Sequence, residues 1–390
     1  MLTITESEHR ISHMQRRLQE SGISGALFMF PIDIYYFSGT RQNAALWMPA
    51  EGVPILFVRK SLTRARAESP LVDIRPFPSG KEFPTLFSDE IITIGMTFDV
   101  IPVQQFNYYT KVLPGRKFVD ISPIIREIRS VKSNAELEKL RSGAEKLCSV
   151  FSEVPQFLKA GMRELDLAAE FEYRLRKAGH EGYVRMRAFN QELAGGLAVS
   201  KGGTAHGCFD GAVTGKGLSC ASPQGASLEI IPENEPILLD YAGVFGGYIS
   251  DMTRIFVIGS LDTRLQEAFD VAISIQSAIQ QAMIPGAIAE NLYLLALQMA
   301  EKAGLDSCFM GLPGEQSKFV GHGVGLELDE FPILAKGFNM PLQAGQTIAV
   351  EPKFVIPGKG VIGIENTFIV SGHGGLKVTD IPDEIVFIKP

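Results

Sequence analysis

From Pro236 to Gly259 the chain reads PILLDYAGVFGGYISDMTRIFVIG, two almost wholly apolar runs broken by a Gly-Gly pair. Gly-Gly suits a two-residue hairpin turn, because glycine tolerates the positive φ that such turns demand. The register then follows: Phe245 faces Tyr248, Asp240 faces Thr253 and Asp251 faces Ala242. Both aspartates fall on one face as diagonal neighbours, their Cβ atoms roughly 6–8 Å apart. That face also carries Leu238, Ile249, Ile255 and Val257, so the carboxylates point towards a core. A buried unpaired charge is very costly, and two of them call for a cation.

A second acidic pair lies in VEPKFVIPGKGVIGIENTFIV, Val350 to Val370. A turn centred near Gly358 places Glu351 directly opposite Glu365. Like charges facing each other across strands destabilise a sheet, and a divalent ion between them removes the conflict. The segment FVGHGVGLELDEFP, Phe319 to Pro332, adds His322 between two glycines, followed by Asp329 and Glu330. Asp240, Asp251, Glu351, Glu365 and His322 form an oxygen-rich set with one nitrogen donor. Such a set suits Mn²⁺ or Co²⁺, with Fe²⁺ or Zn²⁺ as further candidates. Five ligands, several able to bridge, exceed the need of one catalytic ion, so two divalent ions are expected.

At 390 residues the chain is long for one core, and two domains are expected. From Gly22 to Ser122 short apolar runs, ALFMF, PILFV and IITIGM, alternate with helical segments, an α/β pattern with its own sheet. Near residue 130 the character changes. Ser133 and Glu136 form a capping box, followed by Leu137, Leu140, Ala144, Leu147 and Phe151 at helical spacing. The expected division is residues 1–130 and 131–390. The second part alternates helices, at Arg163 to Gly179, Thr263 to Met283 and Ala287 to Ala303, with hairpin strands, which indicates an α+β domain.

Other features narrow the function. A formal charge of −7, with scattered lysines and arginines, lacks the basic footprint of a nucleic-acid binder, and a small polar or zwitterionic ligand fits better. The first twenty residues look like a polar helix without the apolar core of a secretory signal, and no apolar run is long enough to span a bilayer. A cytoplasmic location and no membrane partner are expected. Cys148, Cys208, Cys220 and Cys308 never form CxxC and are expected to be reduced. The Gly-rich stretch Ser200 to Gly217 matches no phosphate-binding spacing and is expected to be a loop without ligand contact. His9, His13, His180 and His373 lack partners in the sequence and are expected at the surface.

The ordered motifs LLDYAG, ISDMTR, GHGVGLELDEFP, AVEPKF and IGIENT, preceded by VKSNAEL, resemble the signature of the M24 metallopeptidases. This family includes Xaa-Pro dipeptidase, aminopeptidase P and methionine aminopeptidase. The resemblance covers essentially the whole chain. It implies a smaller creatinase-like α/β amino-terminal domain and a pita-bread catalytic domain. By this resemblance Asp240 binds one metal, Asp251 and Glu365 bridge, and His322 and Glu351 complete the coordination of the second metal. A metal-bridging hydroxide would be the nucleophile, and Glu351 would carry its proton to the leaving amine. A homodimer and a small peptide or amino-acid-derived substrate are also implied.

Three positions depart from the Xaa-Pro peptidases, which usually carry histidine where this chain has Asp329 and Gln224, and arginine where it has Gly363. Gln224 donates a hydrogen bond but cannot shuttle a proton, and Asp329 reverses the charge. Asp329 could recognise a cationic amine, act as an extra base, or bond the neighbouring backbone. His206, in the loop TAHGCFDG, is a candidate replacement for a missing histidine. The default expectation is a dinuclear hydrolase of small Xaa-Pro peptides. The alternatives are a creatinase-like C–N hydrolase or a metal-dependent lyase on the same fold, and a non-catalytic binding protein.

Overall fold

A computed structural model describes residues 1–187 and 195–390 of the chain. They form two compact units, Met1–Ile128 with Arg187, and Arg129–Met186 with residues 195–390.

The first unit is built on strands β1 (Gly25–Phe28), β2 (Ala44–Pro49), β3 (Ile55–Val58), β4 (Asp73–Pro76), β5 (Thr93–Met96) and β6 (Lys117–Asp120), in the order β4-β3-β2-β1-β5-β6. β1, β2 and β3 run antiparallel to their neighbours in the hairpins, whereas β1–β5, β5–β6 and β3–β4 are parallel. The three apolar runs noted in the sequence supply β1, β3 and β5. Leu27, Trp47, Phe57, Ile94 and Met96 bury one face with Phe83 and Phe87. The helix Ile4–Glu20 starts at Thr3, whose hydroxyl accepts from Glu6 N–H, and it buries Met14 and Leu18 one turn apart.

The second unit contains β7 (Gly196–Val199), β8 (Ile237–Phe245), β9 (Tyr248–Ile258), β10 (Phe319–Gly323), β11 (Glu330–Ala335), β12 (Thr347–Val350), β13 (Lys353–Ile356), β14 (Gly360–Gly363), β15 (Asn366–Ser371), β16 (Gly374–Lys377) and β17 (Val386–Ile388). Among the described residues they form sheets of order β17-β9-β8-β7 and β11-β10-β12-β15-β16, with β13-β14 a separate hairpin. The helix Asn134–Phe157 carries the expected capping box of Ser133 and Glu136.

Both faces of the β8–β9 hairpin are covered, which is why the strands read as nearly continuous apolar runs. Leu239, Tyr241, Met252 and Phe256 pack against Leu147, Phe151 and Phe171 of the helices Asn134–Phe157 and Glu164–Lys177. Leu238, Ile255 and Val257 pack on the other side with Phe269, Ala272 and Ile275 of the helix Thr263–Ala282 and Leu292 of Ala289–Lys302. The register is the one the Gly-Gly turn dictates, with Phe245 against Tyr248, Asp240 against Thr253 and Ala242 against Asp251. Gly246 and Gly247 take φ of 58° and 87°.

The second hairpin differs from expectation in one respect. Val350 pairs with Asn366 and Lys353 with Gly363, a shared register in which Glu351 and Glu365 are opposed. The ladder is broken between these pairs, because Pro352 has no N–H to donate. Glu351 N–H donates instead to Val320 O at 3.0 Å, and Glu365 exchanges backbone bonds with Thr253 of β9. Each glutamate is thus tied to a different neighbouring strand.

His180 departs from its expected surface position. The chain reverses through Gly179, at φ 101°, and packs the imidazole edge-on to Phe245, where Gly182 N–H donates to Nδ1 at 3.0 Å. The ring is buried. The four cysteines are free thiols. Among the described residues no helix is long and apolar enough to cross a membrane.

Candidate metal centre

Two sheets converge on the acidic residues. Asp240 projects from β8 and Asp251 from β9, while His322 sits mid-strand in β10, between Ala349 of β12 and Ile333 of β11. Glu351 and Glu365 occupy the break after β12 and before β15, where the interrupted ladder turns both towards the same point.

On one side of this cluster, donor atoms of Asp251, His322 and Glu365 all lie within 4.8 Å of one another. His322 Nε2 is 3.6 Å from Glu351 Oε1 and 3.8 Å from Glu365 Oε1. Asp251 Oδ1 is buried without a hydrogen-bond partner, an orphaned anionic acceptor of the kind a bound cation satisfies. Burial, then the neighbouring Glu365 and Asp240, push the Asp251 carboxyl well above its usual range. This donor set fits a divalent ion. Thr253 Oγ1 donates to Glu365 Oε2 at 2.8 Å, and Thr367 Oγ1 bonds the Asp251 backbone, so both carboxylates are fixed from behind.

The other side holds a residue that the sequence reading passed over. Lys353 Nζ donates to Asp240 Oδ2 at 2.8 Å, Glu351 Oε2 at 2.8 Å and Glu365 Oε2 at 3.1 Å. Its side chain is 2% exposed. Burial works against the ammonium, but Asp240, Glu351 and Glu365 outweigh it and hold the group well above its usual value. Asp240 is raised by burial, against the opposing pull of Lys353. The signal was available: Lys353 stands two residues after Glu351 in an extended segment, and alternate residues share a face.

The acidic pair after His322 divides. Asp329, at φ 58°, brings Oδ1 to 3.2 Å from His322 Nδ1, which also faces Gly323 O at 3.3 Å. With Nδ1–H engaged, Nε2 is left as the donor atom facing the cluster. Burial lowers the imidazole's proton affinity, but Asp329, Glu351 and Glu365 raise it on balance. Glu330 turns away and meets Arg129 at 2.6 Å and Lys132 at 3.0 Å, which makes it a structural ion.

Asp240, Asp251, His322, Asp329, Glu351 and Glu365 all line one narrow cleft of about 100 Å³. Its wall includes Phe209 to Val213, so part of the Gly-rich loop that was expected to be uninvolved borders the site. Glu164 fixes that loop's base, accepting from Ser200 N–H, Ser200 Oγ, Thr204 Oγ1, and Ser227 N–H and Oγ. His206 and Gln224 are not brought to the cleft wall. His206 is exposed and bonds Gly203 O at 2.9 Å within its own loop, and Gln224 is partly buried beside the turn at Gly217.

A carboxylate-rich centre with one imidazole, set between two sheets of an α+β unit and preceded by a separate α/β unit, defines a class of two-domain metallohydrolase. The model of metallopeptidase family M24 matches residues 138–372 and that of the creatinase/prolidase amino-terminal domain residues 10–131. The chain belongs to metallopeptidase family M24, whose members use divalent metals, and its catalytic domain has the pita-bread fold.

Its relatives include a Xaa-Pro dipeptidase of Pyrococcus furiosus, 24% identical over 384 residues that span 97% of this chain and 100% of the relative. A probable dipeptidase PepE of Mycobacterium tuberculosis is 25% identical over 95% of this chain and 93% of its own. Among solved structures, a Xaa-Pro dipeptidase from Bacillus anthracis superposes with a TM-score of 0.83 at 20% identity, over 98% of this chain and 100% of that one. An X-Pro aminopeptidase from Thermotoga maritima gives 0.80 at 23%, over 98% and 99%. At these identities the structural likeness establishes the fold.

Proposed function

We propose that the protein hydrolyses the C–N amide bond of a small peptide, with Xaa-Pro dipeptides or the amino end of Xaa-Pro peptides as the substrate class. The observation that carries this reading is the cluster of Asp251, His322 and Glu365 at the floor of a cleft that also holds Glu351. These residues would hold a divalent ion, with Mn²⁺ or Co²⁺ favoured by the oxygen-rich donors. Such an ion supplies Lewis acidity, polarising a carbonyl and acidifying water.

The chain's own residues would do the rest. Glu351 Oε2 is held by Lys353, which leaves Oε1, on the His322 side, to accept a proton from the attacking water and return it to the leaving amine. Asp329 would fix the His322 ring through Nδ1. The cleft, bordered by Phe209 to Val213, would restrict access to small substrates. The family resemblance supports a homodimer, which light scattering would measure.

Mn²⁺-loaded protein is expected to release proline from a panel of Xaa-Pro dipeptides. Inactivity across the panel would favour the second reading, a C–N hydrolase acting on a non-peptide amide, which the absence of histidine at 224 and 329 supports. In either case Asp251→Ala is expected to abolish metal uptake, and a fully loaded variant would reject the site.

A further inference from the structure

We infer that the Lys353 ammonium takes the place of one of the two ions expected at this centre, which therefore holds a single divalent ion per chain, on the His322 side. The inference rests on the metal-binding part of the proposed function and not on its substrate.

The geometry is that of a cation site already filled. Lys353 Nζ accepts no ligand and has three hydrogens to give, and it gives them to three carboxylates, Asp240, Glu351 and Glu365, at 2.8–3.1 Å. A second ion bound to Asp240 would have to share these same oxygens with the ammonium, two cations at close range in a dry cluster. Asp251 and His322, which Lys353 does not touch, form the compact triad with Glu365, whose Oε1 lies 3.8 Å from His322 Nε2.

The lysine is built in rather than folded over from the surface. It opens β13 directly across from Gly363 of β14. A Cβ at 363 would lie 2.5 Å from Pro352 O, 2.7 Å from Lys353 Cα and 2.8 Å from Lys353 Cγ. Gly363 thus provides the clearance that lets the Lys353 stem pass. Gly363 and Lys353 are thus sterically linked across a strand pair. An ammonium neutralises carboxylates but offers no vacant coordination position, so Asp240 becomes a fixed anchor rather than a ligand of an exchangeable ion.

The full-length protein, stripped with chelator and reloaded with excess Mn²⁺, is freed of unbound metal by gel filtration and its metal counted by elemental mass spectrometry. About one ion per chain is expected, with one anomalous-scattering peak beside His322 in Mn²⁺-loaded crystals. Lys353→Gly is expected to take up about two, and Lys353→Arg to remain near one. Two ions or none in the native chain, a peak on the Asp240 side, or a folded Lys353→Gly that still binds one, would each overturn the inference. Should Lys353→Gly fail to fold, the native count and the peak position decide. One ion per chain with no peptide hydrolysis would reject the substrate reading alone, and two ions with full hydrolysis would reject this inference alone.

Discussion

Asp329 Oδ1 lies 3.2 Å from His322 Nδ1, so a residue that departs from the usual Xaa-Pro peptidase pattern acts from behind on the imidazole proposed to hold the metal. The arrangement fixes the ring and its tautomer and raises the basicity of Nε2. Asp329→Asn is the informative change, because Asn tolerates the φ of 58° at this position and removes the charge alone. Mn²⁺ affinity by calorimetry is expected to fall by about 10- to 100-fold. Thermal stability should change little, since the Asp329 side chain is 41% exposed. Unchanged affinity would show that Asp329 serves the substrate instead.

The pairing of Lys353 with Gly363 makes a second prediction, about stability. Gly363→Ala forces a Cβ to within 2.5 Å of Pro352 O, and overpacking of this kind costs about 1–3 kcal/mol. Restoring the family's arginine at 363 in the native background should cost more still. A Lys353→Gly background removes the close contact with Lys353 Cγ, so the double variant should be more stable than the sum of the single effects indicates. Additive denaturant midpoints would show that the two positions are independent.

These two relationships mark where the sequence stopped being legible. The β8–β9 register followed from Gly246-Gly247 alone, because a two-residue turn leaves no freedom in the pairing. The helix at Asn134 followed from its capping box. Lys353 escapes a reading by ligand-type residues, because a lysine next to a buried carboxylate is not one. Its two-residue spacing from Glu351, with a proline between, carried the information. His180 was misplaced because its burial depends on Phe245, 65 positions away in sequence, and no local pattern encodes that contact. The role of Phe209 to Val213 was equally non-local, since the loop is anchored by Glu164 through Ser200, Thr204 and Ser227.

That anchor is testable by itself. Glu164 accepts five hydrogen bonds in a buried setting, and Glu164→Gln would turn an amide N–H₂ towards donors. A loss of about 1–3 kcal/mol is expected, together with faster hydrogen exchange across residues 200–227. Exchange at the proposed metal ligands of β9 and β10 should be unaffected. Uniform acceleration through the whole unit would mean that Glu164 supports the global fold instead of this loop.

Glu330 predicts how the second unit responds to acid. Burial alone would raise its carboxyl, but Lys132 and Arg129 outweigh it and hold the group at about 2, against an ordinary value of 4.5. The folded state therefore keeps this site deprotonated where the unfolded chain binds a proton. The stabilisation is fully present above about pH 4.5 and is lost as the pH falls through about 2; on the linkage relation it amounts to about 3 kcal/mol. Glu330→Gln leaves Lys132 without its carboxylate and Arg129 with Glu327, at 2.7 Å, as its remaining one, and should cost about 3–5 kcal/mol at neutral pH. Its stability should also change less with pH between 4.5 and 2 than that of the native protein. Chemical denaturation at a series of pH values reads both effects, and parallel pH profiles for the two proteins would show that the acid response arises elsewhere.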